Sequence, residues 1–217
     1  MSYTLLIIDG NNMFRRYYSI TPNVSPHYLI QNKLKTLISR HKIPRVVVVF
    51  DGERTKAAKF GQEGYDKGRK PMDAEMHKHF RKTVNTLSKT YCVVQRQDYE
   101  ADDIIGCIAL YTYKRKKSVL IYSNDKDFFQ LVRKPRKHEG TVVRMDVLRD
   151  LRGELLFDYD AVSEKYGFPP EQFTTFLALN GDSVDNIPGI RGLGPVTAQA
   201  LLCKYTLCNK AQRKLGL

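Results

Sequence analysis

Three short runs, Thr4–Ile8, Val46–Phe50 and Val119–Tyr122, are apolar along their length and rich in β-branched residues. Runs of that length and composition predict strands buried on both faces of a parallel sheet. A further strand is expected around Cys92–Val94. Between them apolar residues recur at helical spacing: Ile30, Leu34, Leu37 and Ile38; then Met76, Phe80, Val84 and Leu87; then Ile104, Ile105 and Ile108. Strands alternating with amphipathic helices predict an α/β sheet with right-handed crossovers. From about Asp158 the pattern changes to short helices alone, Asp160–Tyr166, Glu171–Leu179 and Thr197–Tyr205. The bend between the last two reads NGDSVDNIPGIRGLGP, dense in glycine and turn residues. The expected organisation is an α/β core over residues 1–157 and a small helical lobe over 158–217.

Charge adds a partner to this outline. The 217 residues carry 36 Lys and Arg against 23 Asp and Glu, a net charge of +13. Residues 52–90, 114–139 and 203–217 hold net charges of +5, +6 and +4, so the rest of the chain is slightly acidic. Segregated positive charge of this kind is the footprint of a surface that meets a polyanion. The four cysteines, Cys92, Cys107, Cys203 and Cys208, show no zinc-ligand spacing and read as thiols in a reducing compartment. No apolar run has the length of a membrane span, and a soluble cytoplasmic protein is expected.

The acidic residues fall where chemistry would need them. The first strand ends in Asp9, the second in Asp51, and the third runs into Asp125 and Asp127. Ligands of open α/β sheets bind just beyond the carboxyl ends of the strands. Glu100, Asp102 and Asp103 open the helix before Ile104, and Asp182 and Asp185 sit in the glycine-rich bend. Each piece has an ordinary explanation: a strand-ending Asp-Gly is commonly a turn, and acids in a first helical turn serve the dipole. Nine carboxylates converging on one cleft would repel each other. Hard divalent ions such as Mg²⁺ or Mn²⁺ relieve that repulsion. Paired ions ~4 Å apart are the usual machinery of nucleases. An acidic pocket in a basic protein therefore points to phosphodiester hydrolysis.

These residues also resemble a known family. DGNNMFRR at 9–16, VVFDG at 48–52, EGYDKGRKP at 63–71, YEADDIIG at 99–106, SNDKDFFQL at 123–131 and GDSVDNIPGIRGLG at 181–194 follow in the order of the 5′-nuclease (flap endonuclease) family. The chain resembles the polymerase I 5′–3′ exonuclease domain and phage 5′ exonucleases. The resemblance implies a PIN-like core, a basic helical arch at about 52–85 and a C-terminal helix–hairpin–helix module. It implies one metal site at Asp9, Asp51 and Asp102, with Glu100 close by and Asp102 bridging. The second would be formed or supported by Asp103, Asp125, Asp127, Asp182 and Asp185. Arg16 would lie near the substrate, with Tyr65, Lys67, Arg69 and Lys70 of the arch touching nucleic acid. Gly189, Gly192 and Gly194 would bring backbone N–H groups against duplex phosphates, and the bend would hold K⁺. The implied partners are DNA with a 5′ end, a flap or an RNA primer, and replication proteins, in a prokaryotic cell or phage-infected host, with the protein a monomer. In-line hydrolysis by two metal ions would leave 5′-phosphate and 3′-hydroxyl ends.

Four features depart from the family pattern. Asp66 stands where the arch lysine is expected, with Lys67 one place later, a shift of ~100° on a helix. Ala57 and Ala58 replace a Phe-Arg pair, Pro195 and Val196 replace Glu-Lys, and the sequence ends soon after the helical module. These departures keep open a second expectation, a catalytically weak DNA-binding replication accessory protein on the same fold.

Overall fold

The computed structural model describes residues 3–20, 24–52, 71–134, 143–150, 153–183 and 187–215. In chain order the elements of the core are β1 (Leu5–Asp9), α1 (Gly10–Ile20), α2 (Pro26–His41), β2 (Val46–Phe50), α3 (Ala74–Ser88) and β3 (Cys92–Gln95). There follow α4 (Ala101–Lys114), β4 (Val119–Tyr122), β5 (Val143–Asp150) and β6 (Gly153–Phe157). The lobe adds α5 (Tyr159–Tyr166), α6 (Phe173–Asn180), a two-residue pair β7 (Gly181–Asp182) and β8 (Ile187–Pro188), and α7 (Pro195–Leu215).

The sheet runs β3-β2-β1-β4-β5-β6, parallel throughout except that β6 returns antiparallel to β5. The chain builds outward from β1 through β2 and β3, then crosses back to place β4 on the other side of β1. The point where the direction reverses therefore lies between β1 and β4, where open α/β sheets hold their ligands.

Side-chain parity on the strands sorts the core into two layers. Leu6, Ile8, Val48, Phe50, Leu120 and Tyr122 point to one face, packed with Phe14 of α1, Leu34 of α2 and Leu87 of α3. Ile7, Val49, Val119 and Ile121 point to the other, packed with Ile105 and Ala109 of α4. That second cluster continues without a break into the lobe, through Phe129, Phe157, Phe173, Phe176, Ala198 and Leu202. Phe173 stands edge-on to both Phe129 and Tyr166. The lobe is thus seated on the core by shared aromatic packing.

Two elements have no counterpart in the sequence reading. Residues 10–20, read there only as a motif, form α1, with Met13 and Phe14 buried beneath its polar face. Residues 143–150 and 153–157 pair as the β5–β6 hairpin at the sheet edge. The helix read from Met76, Phe80, Val84 and Leu87 is α3, and Phe80 packs edge-on against Phe14 and Phe50. The C-terminal part of the expected arch is therefore a helix packed on the body, while residues 53–70 lie outside the described residues. No helix among the described residues is long and apolar enough to cross a membrane.

Candidate active site

Parity carries over from the strands to the site. Asp9, the last residue of β1, shares the α4 face with Ile7, and Asp51 and Ser123 follow directly on β2 and β4 at the same carboxyl edge of the sheet. Asp9 is buried, 4% exposed. It accepts hydrogen bonds from the Asn12 backbone N–H at 3.0 Å and from Ser123 Oγ at 2.7 Å. The second bond crosses the β1–β4 switch point. Burial pushes the Asp9 carboxyl up to about 6, and the charges of Asp125 and Asp51 add to that, while the Asn12 and Ser123 bonds pull it down.

Asp51 is tied to two other elements. Its Oδ1 accepts from the Ala101 backbone N–H at 2.8 Å, and its Oδ2 accepts from Asn11 Nδ2. Asn11 Oδ1 in turn accepts from the Asp51 N–H at 3.1 Å. Ala101 is the first residue of α4, and its N-cap, Glu100, makes no side-chain cap bond. Asp51 thus fills from another strand the role an N-cap usually plays for the free N–H groups of a helix start. This bond docks the Glu100-Ala101-Asp102-Asp103 segment against the end of β2. Gly52 allows the approach, since a Cβ there would stand 1.7 Å from the Arg96 carbonyl oxygen.

Asp102 and Asp103 are exposed on the first turn of α4 and Glu100 is half-buried beside them. Asp125 accepts from the Asp127 N–H at 2.9 Å, which starts the 3-10 turn Lys126–Leu131. The Asp125 N–H donates to Ser123 Oγ at 3.1 Å. Asp182 reaches the same region from the lobe, its Oδ2 lying 3.2 Å from Lys126 Nζ. Arg16 is half-buried on α1. Tyr65, Lys67, Arg69, Lys70 and Asp185, together with Ala57, Ala58 and Asp66, lie outside the described residues.

The glycines of the bend divide into two kinds. Gly189 fits because a Cβ there would stand 2.3 Å from the Asn180 carbonyl oxygen, so it is required by the packing of the β7–β8 pair. Gly192, at φ +81°, and Gly194 have nothing within 4 Å of such a Cβ and face open space.

The donor set fits hard divalent ions. The charges of Asp125 and Asp51 both act on buried Asp9, and a buried anion with a raised pKa is relieved by a cation. Asn124 Oδ1 is also buried there with no hydrogen-bond partner. Among the described residues, no three His, Cys, Asp or Glu side chains are gathered tightly enough to hold an ion as they stand.

The sequence reading found the acids and missed their partners. Asn11, Asn12 and Ser123 belong to the same DGNN and SND segments, but polar neutral residues beside an Asp carry no pattern that separates a positioning bond from an ordinary turn.

The family comparison settles what this arrangement belongs to. The 5′-3′ exonuclease N-terminal resolvase-like domain matches residues 4–167, and the 5′-3′ exonuclease C-terminal SAM fold matches residues 168–215. The chain belongs to the 5′–3′ exonuclease family. Flap endonuclease Xni of Shewanella frigidimarina is 34% identical over 210 residues, covering 94% of this chain and 78% of that protein. The thermostable DNA polymerase I of Thermus filiformis is 31% identical over 210 residues, covering 93% of this chain but 24% of the polymerase. A bacteriophage T5 flap endonuclease, solved in complex with DNA and metal ions, superposes with a TM-score of 0.77 at 17% identity, over 94% of this chain and 75% of that one. The expected fold class, a mostly parallel PIN-like sheet with an appended helical module, is the fold of this exonuclease, and its enzymatic class is that of 5′–3′ exonucleases and flap endonucleases.

Proposed function

We propose that this exonuclease hydrolyses phosphodiesters at or near the 5′ end of a branched or primed strand, including 5′ flaps and RNA primers, and leaves 5′-phosphate and 3′-hydroxyl ends. The reading is carried by one observation: the Asp9–Ser123 bond across the β1–β4 switch point, with Asp51 held beside it against the start of α4. Three elements thereby deliver carboxylates to one side of one sheet edge.

Asp9, Asp51 and Asp102, with Glu100 beside them, would hold one cation, and Asp102 would be shared with the other. Asp103, Asp125, Asp127, Asp182 and Asp185 form or support the second. Divalent ions of the Mg²⁺ or Mn²⁺ class held there supply Lewis-acid chemistry, lowering the pKa of water and neutralising charge on the phosphate. The chain's own residues do the positioning. Ser123 and Asn12 fix the Asp9 carboxylate, Asn11 fixes Asp51, and Arg16 on α1 meets the substrate phosphate. Lys67 of the arch is the second cation toward the scissile phosphate, and Tyr65, Arg69 and Lys70 contact the single strand. Residues 1–157 carry most of the carboxylates, and residues 158–217 add Asp182 and Asp185 and grip the duplex. Gly192 and Gly194 offer open backbone to phosphates, with Gly189 holding the hairpin that presents them.

The experiment is cleavage of a 5′-labelled single-flap duplex with Mg²⁺, beside EDTA and Asp102→Asn controls. Metal-dependent release of the flap that disappears in the variant is expected. Tight flap binding without cleavage by the unmodified protein would overturn the nuclease reading and leave a DNA-binding accessory role.

A further inference from the structure

A cleft of about 780 Å³ opens beside Asp51, between α1 and α3. One wall is a stripe of α3 formed by Ala74, His77, Arg81 and Asn85, whose spacing stacks them along a single helix face. The facing wall is Asn11 and Arg15, one turn apart on α1, and the apolar lining includes Met72 and Phe80. Phe80 is itself held edge-on by Phe14 and Phe50, so that side of the cleft is fixed by the core. His77, Arg81 and Asn85 are exposed and take no part in the machinery described above.

The lining specifies a ligand. The volume falls in the ~300–1,000 Å³ range of clefts that enclose small-molecule-sized groups. Guanidinium groups on opposing walls suit a phosphate, which Arg binds in a fork. An aromatic side chain beside the amide of Asn85 suits a base, through ring contact and hydrogen bonding to the base edge. Asn11 joins this cleft to the candidate active site, because the side chain that lines it also bonds Asp51.

We propose that this cleft seats one nucleotide of the strand being cut, next to the scissile phosphodiester on its single-stranded side. Its phosphate lies between Arg15 and Arg81, and its base rests against Phe80 beside Asn85. The inference rests on the nuclease reading and adds to it a determinant on α3. A terminal phosphate adds charge beside the two arginines that line the cleft, Arg15 on α1 and Arg81 on α3, so the cleft favours a 5′-phosphorylated end over a hydroxyl end.

The test is fluorescence anisotropy of a dye-labelled thymidine dinucleotide, with and without a 5′-phosphate, in EDTA. The phosphorylated form should bind more tightly to the unmodified protein. Arg81→Gln should weaken that binding about tenfold, the loss of one charge-assisted contact, and should narrow the gap between the two forms. Lys114→Gln, at the far end of α4, should change neither. Equal affinity of Arg81→Gln and the unmodified protein, or indifference to the 5′-phosphate, would overturn the proposal. Flap cleavage with Mg²⁺ run in parallel separates the two readings. Cleavage without dinucleotide binding removes the cleft and keeps the nuclease; dinucleotide binding without cleavage does the reverse.

Discussion

Lys126 Nζ stands 3.2 Å from Asp182 Oδ2, joining the 3-10 turn that follows β4 to the helical lobe. Lys126 lies between Asp125 and Asp127 in sequence, so its ammonium supplies a positive charge among carboxylates assigned above to the second cation site. The Asp182 side chain is 14% exposed and Lys126 is 47% exposed, which limits the bond's contribution to stability to ~1 kcal/mol or less. Lys126→Ala should therefore lower the melting temperature in EDTA only slightly. It should also tighten the weaker class of Mn²⁺ sites, because an ion no longer competes with a tethered cation. A Mn²⁺ titration by calorimetry checks this, and an unchanged isotherm would remove Lys126 from the cation site.

Asp9 sets a pH dependence whose sign is opposite to that of a salt-bridged acid. Its folded pKa is raised from 3.8 to about 6, mainly by burial. The folded state therefore holds the proton more tightly than the unfolded state. Its contribution to stability falls as pH rises through this window and stays lower above it. Asp9→Asn keeps the shape and removes the buried charge. In EDTA the variant should be more stable than the unmodified protein at about pH 8, by a few kcal/mol at most, and the difference should close toward about pH 4. Thermal unfolding across that range measures it, and a gap independent of pH would show that burial of the charge is not the cause.

Asp51 should separate architecture from chemistry. Asp51→Ala leaves the Ala101 N–H and the Asn11 amide without their partner, and should cost ~1–3 kcal/mol in urea unfolding. Asp51→Asn retains an oxygen for the Ala101 N–H and should unfold closer to the unmodified protein, yet cleave the flap far more slowly. Equal stability of the two variants would mean that the cap on α4 carries no weight.

The hairpin glycines give a three-way comparison. Gly189→Ala places a Cβ 2.3 Å from the Asn180 carbonyl oxygen and should unseat the β7–β8 pair, lowering both stability and duplex affinity. Gly192→Ala meets no atom within 4 Å but sits at φ +81°, a strain of ~1 kcal/mol. Gly194→Ala has neither clash nor positive φ, so it should leave stability unchanged and weaken only duplex binding. Melting temperatures paired with duplex affinities distinguish these, and full affinity in Gly194→Ala would remove that backbone from the phosphate contact.

Strand identity was legible because buried parallel strands leave a continuous apolar run. Val46–Phe50 and Val119–Tyr122 were read with the bounds they have in the fold. The lobe helices are legible from the change of pattern at about Asp158, and the structure shows Asp158 accepting from the Ala161 N–H, the ordinary start of a helix. α1 is not legible as a helix, because among Asn11, Asn12, Arg15 and Arg16 only Met13 and Phe14 supply a narrow buried apolar stripe. The β5–β6 hairpin was missed because its strands at the sheet edge lack the apolar run of the central ones.

What the sequence determined by itself is the inventory: which acids end which strands, where the glycines fall, and how charge is segregated. Those are local facts, set by a residue and its few neighbours. Which of these groups touch was decided only by the tertiary structure. Strand order places β4 beside β1, so Ser123 reaches Asp9 across 114 positions of chain. The crossover through α3 and β3 brings Ala101 to Asp51, and the packing of α3 against α1 opens a cleft whose two walls are more than 50 residues apart. Hydrogen bonds and repulsions between distant groups depend on that packing, and no spacing along the chain encodes it.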